Sequence, residues 1–262
     1  MILPSRESEL LSAAELLLDA RRTATPIADL PEALQPASLD EAYFVQDAMA
    51  RTIEVEQGHG VRGWKVGAPA PDATPIYGPM PFAWIADDAS LLGGQRYRFR
   101  GLEAEIAFLL GQDLPPRATP YTRDEIVAAI ASCHPAIEEL EAGLVDPLKV
   151  ARFTMIADMQ IHGGFIHGPA VPDWQSIDFA RESVSLAVDG EVRVERTASN
   201  TAGTDLLRLV LFLANQGAAR TGGLKRGSWI TTGSWTGCTL ASAGSAVNVR
   251  FSTAGSVSLR FA

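Results

Sequence analysis

Cysteine is scarce in this chain of 262 residues: Cys133 and Cys238 stand alone and far apart. They offer neither a disulfide framework nor a metal-binding spacing, and a reducing cytoplasm is the expected setting. Positive charge is also short. Lys and Arg number 22 against 31 Asp and Glu, for a formal net charge of −9. That balance argues against nucleic acid or an anionic membrane as the main partner. An anionic substrate would need a local cation to draw it in. No run approaches the ~18 apolar residues of a membrane span. No basic stretch leads into an apolar run near the start, so no signal peptide is expected.

What is present is an ordinary globular composition, 47% hydrophobic and 20% charged, with length enough for a large core. Residues 6–22 place Leu10, Leu11, Ala14, Leu17 and Leu18 at helical spacing. A Pro- and Ala-rich connector covers 23–37. Ser38-Leu39-Asp40-Glu41 then reads as a capping box, and the helix behind it repeats Ala42, Val45, Met49 and Ile53 before Gly58-His59-Gly60. Residues 1–60 are therefore expected to form a helical subdomain.

From residue 61 the pattern changes to short strands, expected near 61–67, 95–110, 134–139, 162–171, 183–196, 228–232, 246–251 and 256–261. Asp189-Gly190 marks a two-residue hairpin turn. Helices interrupt at about 123–132, behind a second capping box from Thr122 to Glu125, and at about 204–216. The class is α+β, with a largely antiparallel or mixed sheet system over residues 61–262.

One strand is chemically odd. In "GLEAEIAFLL", residues 101–110, alternation sends Leu102, Ala104, Ile106, Phe108 and Leu110 to one face and Glu103 and Glu105 together to the other. Two like charges side by side repel unless water or a cation screens them. Either this face is wet or a cation sits on it. "HPAIEELEAG" adds Glu138, Glu139 and Glu141 in or just after a second strand. Three carboxylates meeting at one point suit a hard divalent cation, Mg²⁺ or Mn²⁺. Zinc fits poorly, because no His-x-His or Cys pair accompanies them.

Three further features could carry chemistry. Lys65 in "GWKVG" lies between two glycines, where a ligand or another backbone can approach closely. It is either a tuned proton carrier or a stem on the core with its head in water. "TTGSWTG", residues 231–237, is a Gly/Ser/Thr loop that either cradles an anion or simply turns. His162 and His167 flank Gly163-Gly164. Each is either a general base or a structural hydrogen-bonding group, and the odd spacing puts them on opposite faces of a strand.

In this order, "GWKVG", "YGPM", "GLEAEIAFLL", "HPAIE", "IADMQIHGG" and "TTGSWTG" resemble the hydratase/decarboxylase branch of the fumarylacetoacetate hydrolase superfamily. The nearest groups are 2-keto-4-pentenoate hydratases and 4-oxalocrotonate decarboxylases. The resemblance implies a distorted mixed β-sandwich or β-roll core and an Mg²⁺ or Mn²⁺ site. By motif, Glu103, Glu105 and Glu138 would be the ligands, with Glu138 preferred to Glu139. Lys65 would be the catalytic proton carrier, with His162 a second candidate. Tyr77, Gly78, Thr232, Gly233 and Ser234 would contact substrate.

The implied activity is addition of water to a 2-hydroxy-2,4-dienoate. A 2-oxo acid decarboxylase, an acylpyruvate-type hydrolase, or an inactive anion-binding homologue are the alternatives. A homo-oligomer is expected, or a complex with another enzyme of the same pathway. Two positions depart from the family pattern. Ile76 stands where many hydratases have Asp, and Met159-Gln160-Ile161 stands where Asn-Ala-Ser often follows the Ala-Asp pair.

Overall fold

The computed structural model describes residues 2–94 and 96–262. Helix α1 (Pro4–Arg22) opens on a proline, whose fixed φ suits the first turn, and buries Leu10, Ala13, Ala14, Leu17 and Leu18. Helix α2 (Leu39–Gln57) packs against it. Ser38 caps α2 by accepting from the Glu41 N–H, and Gly58 ends it in the left-handed region at φ 74°. The reciprocal half of the expected capping box is diverted. Glu41 instead accepts from Arg6 at 2.7 Å and from the Ala37 N–H at 2.8 Å, tying α2 to α1 and to the connector.

The remaining elements, in chain order, are β1 (Val61–Gly67), β2 (Ile76–Pro81), β3 (Ile85–Asp87), β4 (Ser90–Leu92), β5 (Gly101–Leu110), α3 (Arg123–Ala129), β6 (Ile130–Leu140), α4 (Arg152–Ala157), β7 (His162–His167), β8 (Ser183–Val188), β9 (Glu191–Thr197), α5 (Leu206–Asn215), α6 (Ala218–Thr221), β10 (Trp229–Thr231), β11 (Thr239–Leu240), β12 (Ala246–Phe251) and β13 (Ser256–Phe261). Several expected bounds move. The strand expected over 95–110 begins at Gly101, and Gln95 lies outside the described residues. The helix expected to reach 132 stops at Ala129, because β6 starts directly at Ile130. The strand expected over 162–171 ends at His167.

Eight strands form one mixed sheet in the order β2-β1-β10-β5-β6-β7-β3, with β11 added on β5. Five form a second, in the order β4-β13-β12-β8-β9. The second packs across the first through β12 and β13 against β6. Its inward face is the alternating set Val184, Leu186 and Val188, Val247, Val249 and Phe251, and Val257, Leu259 and Phe261, all buried. This is the α+β class, with two mixed sheets face to face. One continuous buried cluster runs from Leu10 and Leu17 of α1 through β5 and β6 to Phe261. No helix among the described residues is long and apolar enough to cross a membrane.

Candidate active site

The antiparallel pairing of β5 with β6 sets Glu138 directly opposite Glu103. Glu105 lies two residues along β5 on the same face. One carboxylate oxygen from each of the three lies within 4.8 Å of the others. Glu105 and Glu138 are buried, and Glu103 is partly so. Burial, with the charge of Glu138, pushes Glu103 up to about 7. Burial, with Glu138 and Glu103, holds Glu105 well above its ordinary range. Burial would raise Glu138 as well, but the Lys65 ammonium and a hydrogen bond from His162 more than offset it and hold that carboxyl below the ordinary range.

Lys65 comes from β1, which reaches β5 through β10. Its Nζ donates to Glu138 Oε1 at 2.5 Å and to the Gln160 carbonyl at 3.0 Å. An ammonium has three donors, so one remains. His162 is fully buried, and its Nδ1 sits 2.8 Å from the same Glu138 oxygen. Burial lowers its pKa, so the ring is neutral and Nδ1–H is the donor. The other Glu138 oxygen is buried with no hydrogen-bond partner.

The 231–237 loop does not stand open for an anion from solution. The Thr231 hydroxyl and the Gly233 N–H both donate to Glu105 Oε2, the latter at 3.0 Å. The Thr232 hydroxyl donates to the Ile106 carbonyl, and the Trp235 N–H to that of Ala104. These four donors hold Glu105 and stitch the loop to β5. A hydrogen bond from Ser234 also eases ionisation of Glu103.

Above Glu138 the chain makes an unusual turn. Met159, Gln160 and Ile161 all have positive φ, at 52°, 54° and 56°. For non-glycine residues this conformation costs about 1–2 kcal/mol each. Arg21 of α1 braces the turn at both ends, with Nε 2.5 Å from Asp158 Oδ1 and η nitrogens at 2.9 Å from the carbonyls of Asp158 and His162. The reward is local: the turn aims the Gln160 carbonyl at Lys65 and brings Gln160 to the cavity wall.

That cavity is about 530 Å³. Lys65, Glu103, Glu105 and Glu138 line it, with Gly233 and Ser234 beside them. Ile76 and Met155 give apolar wall, and Gln160 and Arg152 give polar wall. Of the residues expected at the site, the structure brings these six together. His162 is not on the cavity wall and lies against Glu138 instead. Tyr77, Gly78 and Thr232 do not line the cavity either. On β2 it is Ile76 that lines it; Tyr77, the next residue, packs among Tyr43, Trp64 and Phe212. Gly78 backs onto the side chains of Gln46 and Gln160. Glu139 pairs opposite Leu102 on the far face of β6, and Glu141 accepts from the backbone of Arg98 and Phe99.

Arg152 and Gln160 are cavity residues that the sequence reading did not single out as site residues. Their only sequence signal is the departure at 159–161. A hard divalent cation fits the three carboxylates. The donors are all oxygens, one of them is buried without a donor of its own, and the burial and mutual repulsion that raise Glu103 and Glu105 are what a cation would offset.

The chain is 26% identical over 260 residues to a 4-oxalocrotonate decarboxylase of Pseudomonas putida, covering 97% of each. It is 25% identical over 232 residues to a 2-keto-4-pentenoate hydratase of Paraburkholderia xenovorans, covering 84% of this chain and 83% of the relative. Its fold matches the 4-oxalocrotonate decarboxylase of Pseudomonas putida G7, solved in complex with magnesium and adipate, with a TM-score of 0.85, 24% identity and full coverage of both chains. No family model matches the chain.

Proposed function

We infer that this chain, a distant relative of the hydratases and decarboxylases of the fumarylacetoacetate hydrolase superfamily, is a metal-dependent lyase that adds water to a 2-hydroxy-2,4-dienoate and yields a 4-hydroxy-2-oxo acid. The observation that carries this reading is the convergence of Glu103, Glu105 and Glu138 in one cavity with Lys65 bonded to Glu138. Glu103, Glu105 and Glu138 hold the metal, which is Mg²⁺ or Mn²⁺ by its all-oxygen donor set. When bound, that ion supplies Lewis acidity toward the oxygens of a 2-oxo acid.

The chain's own residues do the rest. Lys65 has two of its three donors committed, and the third faces the cavity to move the proton that interconverts dienol and 2-oxo forms. His162 acts through Glu138, fixing its orientation from below. Ile76 and Met155 present apolar wall to the hydrocarbon part of the substrate. Tyr77, Gly78 and Thr232 support the wall at one remove, while Gly233 and Ser234 face the cavity. Ile76 cannot carry a proton, so the proton work falls on Lys65.

Decarboxylation of a 2-oxo diacid is the second reading, favoured by the relative matched over 97% of both chains. It uses the same carboxylates and the same lysine. The test has two arms with Mg²⁺ present. Solvent deuterium should enter C3 of a simple 2-oxo acid, which both routes share. Then 2-hydroxypenta-2,4-dienoate should be consumed with uptake of water, against release of CO₂ from 4-oxalocrotonate. Absence of exchange with metal bound would remove both readings. We also propose a homo-oligomer. A monomer by sedimentation at micromolar concentration would contradict it.

A further inference from the structure

The cavity holds two cations, and only one is occupied. Lys65 is bonded to Glu138 and to the Gln160 carbonyl. Arg152, at the start of α4, lines the same cavity and has no hydrogen-bond or ion-pair partner among the described residues. Other arginines near the core are engaged: Arg21 with Asp158, Arg220 with Asp47. The cavity is graded in depth. Glu105 and Glu138 are buried at its floor, and Arg152 is exposed at its mouth. Ile76 and Met155 provide apolar wall in the same cavity.

Charge makes this arrangement selective. The three carboxylates would be balanced by Lys65 and a divalent cation, so one substrate carboxylate-and-oxo group held there already leaves the floor with excess negative charge, which disfavours a second carboxylate. The chain as a whole carries −9 and repels anions. A second carboxylate on the substrate would find a counterion only at Arg152. The guanidinium fork matches a carboxylate in two parallel hydrogen bonds, which a lysine would not supply.

We propose that Arg152 binds a terminal carboxylate at the far end of the substrate, so that this chain selects 2-oxo or 2-hydroxydienoic dicarboxylates over the corresponding monoacids. The proposal rests on the 2-oxo acid reading of the floor. It adds a specificity-determining residue at the mouth, which applies to the hydratase and the decarboxylase readings alike.

The test uses two stable acids of equal chain length, 2-oxoadipate and 2-oxohexanoate, which differ only in the terminal group. Binding to the full chain with Mg²⁺ is measured by calorimetry for wild type, Arg152→Gln and Arg152→Lys. Wild type should prefer 2-oxoadipate by about 10–100-fold, the scale of a hydrogen-bonded charge pair. Arg152→Gln should erase that preference while moving 2-oxohexanoate binding by less than about threefold, and Arg152→Lys should keep part of it. Equal binding of the two acids by wild type, or a preference that survives Arg152→Gln, would overturn the proposal. Failure of the floor reading looks different. Deuterium exchange at C3 would then be missing for both acids, while the ratio of their affinities still decides the role of Arg152. Binding of neither acid with Mg²⁺ present would overturn both.

Discussion

Glu138 and Glu139 are adjacent on β6 and equally buried, yet they are opposite in chemistry. Glu138 faces Lys65 and His162 and is held in its charged form. Glu139 faces the other way, against Gly163, with both oxygens buried and no donor to either. Burial and the neighbouring Glu141 push it well above its ordinary range, against the weaker pull of Arg96 and Arg21. Desolvation acts on both alike. What separates them is the strand's alternation, which delivers one to a lysine and the other to a glycine. A buried carboxylate takes its chemistry from the groups its face of the strand meets, and depth alone does not decide it.

The largest way to break the comparison is Glu138→Gln. It removes one of three ligand charges and the partner of Lys65, and turnover should fall by at least about 10³-fold. In wild type, Mg²⁺ at about 100 times its Kd should stabilise the fold by about 2.7 kcal/mol. Glu138→Gln should lose most of that shift in a thermal melt.

Lys65→Ala comes next. Turnover should drop by roughly 10²–10⁴-fold, the scale of general acid–base catalysis, with Mg²⁺ still bound by calorimetry. Without metal the variant should also be less stable, by about 3–5 kcal/mol, because a buried carboxylate loses its counterion. Added Mg²⁺ should recover much of that loss. Unchanged deuterium exchange in this variant, with metal present, would make Lys65 a structural residue.

The smallest effect is expected on the opposite face. Glu139→Gln replaces one buried group without hydrogen-bond partners by another of the same shape. It should change the urea midpoint by less than the equivalent of about 1 kcal/mol and leave Mg²⁺ binding intact. If it cost as much as Glu138→Gln, the contrast between the two faces would be wrong.

The sequence reading reached what depends on period and order. The E-x-E face of β5 was legible because alternation is local, and the helix at 38–58 because its caps are local. Strands β2, β3 and β4 were not anticipated: β2 carries Gly78, Pro79 and Pro81, and the other two are three residues long. Helix α4 is six residues with no side-chain cap. Arg152 and Gln160 escaped for a related reason. They reach the cavity because the chain after β6 folds back over it, Arg152 at the start of α4 and Gln160 in the left-handed turn, and no propensity encodes that return. Tyr77, Gly78 and Thr232 were chosen by motif position; Tyr77 and Thr232 lie beside Ile76 and Gly233, which meet the cavity, and Gly78 lies two residues from Ile76.

Arg21 has a consequence of its own. It lies in the first helix, outside the cavity, yet it closes over both ends of the strained turn that carries Gln160. Loss of that guanidinium would leave every cavity side chain in the sequence and still let the turn relax away from Lys65. A comparison of pocket residues between two such chains would score them as identical, and a kinetic assay would not. In this fold the inventory of an active site therefore extends to a residue that touches neither metal nor substrate, placed more than a hundred positions upstream of the turn it keeps shut.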